Sequence, residues 1–144
     1  MRSTMKGTIK WIDEVSFVAE ADSGHCVVID GPPDAGARNI GIRPMEMLLL
    51  GTAGCTTFDV LNILKKARQK VSDCTVNIEA ERADAIPAVF TRMHFHFVVE
   101  GTDIKEKQVQ RAISLTAEKY CSASIMLEQA GVEITHDYEI RSPK

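Results

Sequence analysis

Four cysteines, at positions 26, 55, 74 and 121, carry the most distinctive chemistry in this 144-residue chain. A thiol attacks an electrophile or binds a metal only as its thiolate, so its surroundings decide whether it reacts or serves as a small hydrophobe. Cys55 lies inside LLLGTAGCTTFDVLNILKK, an apolar setting that raises a thiol pKa, and Asp59, one helical turn further on, raises it more when charged. A cation must offset both before Cys55 reacts. No short spacing links the four cysteines, so neither a dense disulfide framework nor a zinc knuckle is suggested. His94 and His96 in RMHFHFV stand two apart and share one strand face, a spacing that can ligate metal. The sequence nominates no third ligand, and a polar strand face accounts for both, so no metal is expected. His25 and His136 read as single structural histidines. No glycine-rich phosphate loop, nucleophile elbow or Ser-His-Asp order is present.

The elements that must hold these residues follow from composition and period. With 44% hydrophobic and 26% charged residues the chain fits one globular domain over 1–144. A formal net charge of -3 supplies no basic field, which argues against nucleic acid as a partner. No uninterrupted apolar run reaches the roughly 18 to 20 residues of a bilayer span, and MRSTMKGTIKW lacks the apolar core of a signal peptide. The expectation is a cytoplasmic protein without a membrane partner. GTIKWI, SFVAEA and HCVVID, separated by DE and DSG, predict a three-stranded antiparallel meander, and GPPDAGARNIGIRP predicts a loop. Pro44 suits the first turn of a long helix to Ala67, whose basic end complements the helix dipole. DCTVNIEAERA and FTRMHFHFVVEG predict a long hairpin. Thr102 or Asp103 can cap a helix through IKEKQVQRAISLTAEKY, SASIMLEQA predicts a last helix stopped by Gly131, and VEITHDYEI predicts a closing strand. The fold class is α+β, helices packed on antiparallel sheet.

The long helix is apolar on nearly every side from Met45 to Gly54, so it must be buried. At about 1.5 Å per residue it reaches roughly 36 Å, about the width of a domain this size, which predicts a homodimer built around it. Gly51 and Gly54 fit either a close approach by a backbone or ligand, or plain core packing.

RPMEMLLLGTAGCTTFDVLNIL, together with the distant SLTAEKYCSASIMLE, the early SGHCVVIDG and the closing EITHDYEI, resembles the OsmC/Ohr family, and within it the YhfA-like branch. The resemblance implies an OsmC-like fold, an intertwined homodimer whose long central helices are buried between two sheets. It also implies organic hydroperoxide resistance as a stress response, with no cofactor. Cys55 would attack an organic hydroperoxide and become a sulfenic acid, and Cys121 would resolve it to a disulfide that a cellular dithiol reduces. Cys26 and Cys74 fall outside those redox positions and read as packing residues. Characterised relatives of this kind activate the first thiol with a strand arginine, partnered by a glutamate directly after the proline that opens the helix. Here HCVVID has no arginine, Met45 follows Pro44, and the acid is displaced to Glu46. Arg38 and Arg43 are the substitute cations.

Glu46 lies nine residues before Cys55, on the opposite helix face and roughly 13 Å away along the axis. Glu46 or a loop arginine would therefore reach Cys55 across the dimer interface. Its plainer role is a first-turn acid favoured by the dipole. Cys121, just before SASIML, sits where a helix start favours a thiolate. Leu48 to Gly51, Phe58 and the meander aromatics would line a pocket for apolar hydroperoxides. The competing readings are a noncatalytic dimer that binds an apolar ligand, which the missing arginine favours, and a redox sensor.

Overall fold

A computed structural model describes residues 4–143, which divide into two compact units, one through Leu49 and one from Leu50 onward.

The first unit holds β1 (Gly7–Asp13), β2 (Ser16–Ala21) and β3 (Cys26–Ile29), an antiparallel meander in the order β1-β2-β3, as the turn signals predict. Its loop is tied back by one carboxylate. Asp30, 1% exposed, accepts hydrogen bonds from Ser16 Oγ at 3.0 Å, from the Gly31 N–H at 2.8 Å and from the Ile40 N–H at 3.0 Å. The Ile40 N–H is the largest influence holding its pKa below the ordinary carboxylate value. Ile42 then pairs with the backbone of Asp30 and Val28, and only glycine fits at position 41, where a Cβ would overlap the Val28 carbonyl.

Helix α1 (Pro44–Lys66) begins in the first unit and continues into the second. Its C-terminus closes with Arg68 in the left-handed region (φ 59), while the Arg68 and Gln69 N–H groups bond to Lys65 O and Leu64 O. It buries Thr52, Ala53, Thr56, Val60 and Leu64 and leaves Leu50 53% and Phe58 71% exposed. By length and composition this helix is long and apolar enough to cross a membrane, with a mean hydropathy of 1.5 over its best window. The core helix of a folded domain has the same length and composition, and the sequence still contains no uninterrupted apolar run of that length, because glycine and threonine break it.

The second unit also contains β4 (Lys70–Arg82), β5 (Phe90–Thr102), α2 (Glu106–Leu115), α3 (Ser122–Gln129) and β6 (Glu133–Arg141). The strand order is β4-β5-β6. Strict alternation along β5 turns Met93, Phe95, Phe97 and Val99 inward, each at most 1% exposed, and they share the core with Val60, Leu64, Val109 and Ala112. Two differences from the sequence expectation stand out. β6 pairs with β5 in parallel, so this sheet is mixed rather than antiparallel. The helices between the two strands form a crossover that returns the chain in the same direction. Neither Thr102 nor Asp103 caps α2, because Asp103 takes a left-handed turn (φ 53) and Lys105 becomes the flanking residue, its N–H donating to Gln69 Oε1 at 2.9 Å.

Between α2 and α3 the expected continuous helix widens into one π-type turn, Thr116–Tyr120. The chain leaves that turn extended at Cys121 (φ -77, ψ 100), which becomes the N-cap of α3. π-type turns are frequent at functional sites. Gly131, in the left-handed region at φ 103, ends α3 as expected.

Candidate redox site at Cys55 and Cys121

α1 and the start of α3 bring Cys55 and Cys121 together. The two Sγ atoms and a carboxylate oxygen of Asp59 all lie within 4.8 Å of one another. Cys121 is fully buried and Cys55 half-buried.

The environments of the two sulfurs differ in sign. Cys121 Sγ accepts from the Ser124 N–H at 3.4 Å, the N-cap bond of α3, and lies 3.1 Å from Thr56 Oγ1. Burial opposes ionisation there, but the Ser124 hydroxyl, Thr56, the Ser124 N–H and Cys55 outweigh it, so the Cys121 thiol titrates below its ordinary value. At Cys55 burial pushes the thiol up, the Ala123 N–H pulls it down, and Cys121 and Asp59 push it further up. Of the two thiols, Cys121 is therefore the easier to ionise.

Asp59 also lines a cavity of about 330 Å³ together with Ile63, Lys66, Arg111, Leu115 and Tyr120. Its wall is amphipathic, with two cations beside apolar carbons.

Arg38, Arg43 and Glu46 belong to the first unit, and each has a local partner. Arg38 ion-pairs with Asp13, and the Arg43 guanidinium donates to Asn39 Oδ1 at 2.6 Å. Glu46 accepts the Arg43 N–H at 2.8 Å, an acid at the start of α1. Cys26 is exposed and Cys74 half-buried, the latter raised by burial and by Asp73.

Sequence reasoning missed Thr56, Ser124, Arg111 and Lys66. Ser124 had a readable signal, since it stands three residues after the thiol, where an N-cap side chain finds its N–H partner. Thr56 had none, because its partner is 65 positions away. On the sheet, Asp137 is the carboxylate neighbour that the histidine spacing did not reveal. Its Oδ1 lies 2.9 Å from His94 Nε2 and 2.6 Å from His96 Nδ1, and these bonds, His96 foremost, lower its pKa. His136 faces the other way, stacked on Phe95 and Phe97 at 5.6 and 6.2 Å, with its pKa lowered by burial and then by His94.

Residues 35–137, which include the loop arginines, Glu46 and both thiols, match the family model of OsmC-like proteins. The chain belongs to the OsmC-like protein family. Among OsmC-like relatives, Protein YhfA of Escherichia coli strain K12 is 44% identical over 136 residues, covering 94% of this chain and 98% of YhfA. The OsmC-like fold is shared with the OsmC-like protein of Mycoplasma pneumoniae (TM-score 0.82, 16% identity, 98% of this chain and 99% of that one). It is also shared with the organic hydroperoxide resistance protein OhrB of Bacillus subtilis (TM-score 0.64, 18% identity, 95% and 98%).

Proposed function

We propose that the reduced Cys55–Cys121 pair is a two-electron thiol centre that reduces organic hydroperoxides. The observation that carries this reading is the approach of the two sulfurs to within 4.8 Å, one of them held as an N-cap beside Thr56. The name of OhrB, a protein of the same fold, points to the same substrate class. Cys55 is the attacker because it is the more accessible sulfur. It gives its proton to Cys121 and attacks the terminal peroxide oxygen. The O–O bond breaks, the leaving alkoxide takes the proton that Cys121 had accepted and departs as the alcohol, Cys121 is again a thiolate, and Cys55 is left as a sulfenic acid. Cys121 then attacks the Cys55 sulfur, water leaves, and the disulfide forms. A cellular dithiol supplies two electrons and two protons to restore the thiols.

In the same proposal the protein is a cytoplasmic homodimer of one OsmC-like domain. A second copy covers exposed Leu50 and Phe58 and brings Arg38, Arg43 and Glu46 to assist Cys55. Thiols are counted before and after one equivalent of cumene hydroperoxide under anaerobic conditions. The expected loss is two thiols per chain for the wild type and one for Cys121→Ser. Oxidation no faster than that of free cysteine overturns the reading. The absence of an arginine from HCVVID favours a second reading, a noncatalytic dimer that binds an apolar ligand. A redox sensor is separated from an enzyme by whether a dithiol reductant sustains repeated turnover.

A further inference from the structure

The thiol pair has a neighbour that peroxide chemistry does not use. Asp59 follows Cys55 by one helical turn, and side chains four apart on a helix share a face. α1 thus presents a sulfur and a carboxylate side by side, and the first cap of α3 adds a second sulfur. Three potential donor atoms converge within 4.8 Å of one another, with Cys121 buried and the other two half-buried. Among the described residues the Asp59 carboxylate makes no hydrogen bond and no ion pair, although Lys66 and Arg111 line the cavity it borders.

We propose that Cys55, Cys121 and Asp59 bind a thiophilic divalent cation of the zinc class. The donor set selects the ion. Calcium and magnesium require oxygen ligands, whereas two thiolates with a carboxylate suit a borderline-soft ion in a tetrahedral site. With Zn–S near about 2.3 Å, the sulfurs of such a site stand about 3.8 Å apart, so the pair closes by about one ångström at most. The fixed part is already built, since Thr56 and the Ser124 N–H orient Cys121, as neighbouring groups commonly orient metal ligands. Three protein donors would leave a tetrahedral ion one position for water or an added ligand, and Asp59 itself lines a cavity. Two thiolates and a carboxylate carry one negative charge more than the ion neutralises, and the cavity that Asp59 lines also holds the cations Lys66 and Arg111.

Binding needs only the reduced thiols, whose protons pass to the buffer, and does not depend on peroxide turnover. Where the proposed peroxide reaction also holds, the two states exclude each other. Two zinc-bound thiolates, one hydroperoxide and two protons give the disulfide, the alcohol, water and the free ion, because a disulfide sulfur is no longer a thiolate ligand.

The test uses the reduced full-length chain without oxygen, titrated with zinc against a chromophoric chelator and with cobalt(II) as a spectroscopic probe. One ion per chain and a sulfur-to-cobalt charge-transfer band are expected. Cys55→Ser should abolish the band, and Asp59→Asn, which keeps both thiols and the buried cap, should weaken zinc binding roughly tenfold or more. Cys74→Ser should bind like the wild type. The inference is overturned by absence of a thiolate band, by affinity unchanged in Asp59→Asn, or by binding that is lost in His96→Ala instead, which would assign the ion to His94, His96 and Asp137. The two proposals fail separately. Zinc bound by a pair that hydroperoxide does not oxidise removes the peroxidase and keeps the metal site; a pair that hydroperoxide oxidises but zinc does not occupy does the reverse.

Discussion

Thr56 Oγ1 lies 3.1 Å from Cys121 Sγ, a buried contact between α1 and the first residue before α3. Together with the Ser124 N–H it makes the less accessible of the two thiols the more acidic one. In the proposed reaction, Cys121 would serve Cys55 both as proton acceptor and as resolving thiol.

Removing that hydroxyl should raise the Cys121 pKa. A hydrogen bond to a charged group is worth about 1.5–3 kcal/mol, so Thr56→Val should slow peroxide-driven disulfide formation at neutral pH by roughly tenfold. Thr56→Ser, which keeps the hydroxyl, should restore most of the rate. Stopped-flow thiol consumption measures both, and equal rates in Thr56→Val and the wild type would show that the contact has no part in ionisation.

Asp59 acts in the opposite direction on Cys55. After burial, the Cys121 and Asp59 charges hold the Cys55 thiol above its ordinary value. Asp59→Asn removes one of these, so the pH profile of Cys55 alkylation should move to lower pH and its rate at neutral pH should rise. An unmoved profile would mean that the carboxylate is screened by solvent.

Exposed apolar side chains on α1 predict self-association. Phe58 is 71% and Leu50 53% exposed in a single chain, where surface substitutions usually change folding stability by no more than about 0.5 kcal/mol. Phe58→Glu and Leu50→Glu should leave the thermal midpoint of a diluted sample nearly unchanged and shift sedimentation toward the monomer. A wild-type protein that sediments as a monomer at high concentration contradicts the dimer outright.

Acid should loosen the first unit at Asp30. Its folded pKa lies below 3.8, so the unfolded chain binds the proton more readily, and stability is present above about that pH and lost as pH falls through the folded value. Hydrogen exchange at the Ile40 amide, bonded to Asp30 Oδ2, should accelerate over that window. Asp30→Asn should exchange faster at neutral pH and show a weaker dependence on acid. An Ile40 amide indifferent to both changes would place the loop's restraint elsewhere.

Much of this protein is written locally. The strands follow from alternation, as in Met93, Phe95, Phe97 and Val99, because a side-chain period of two needs only adjacent residues to declare itself. Pro44 at the start of α1 and Gly131 at the end of α3 are equally local, since each matches its own backbone dihedrals. The family is legible too, because both thiols sit in contiguous strings of residues that match it.

Other features depend on partners far along the chain. The parallel direction of β6 depends on how two helices carry the chain across the sheet, and strand composition is blind to direction. Thr116–Tyr120 contains ordinary helix formers, so nothing local signals the π-type turn that sets Cys121 at a cap. From residue order alone came the elements, the two candidate thiols and the kinship. Only folding in three dimensions decided that Thr56 and Ser124 contact the buried sulfur, and that Asp59 lies beside the pair, because such contacts depend on distance in space and not on separation in sequence.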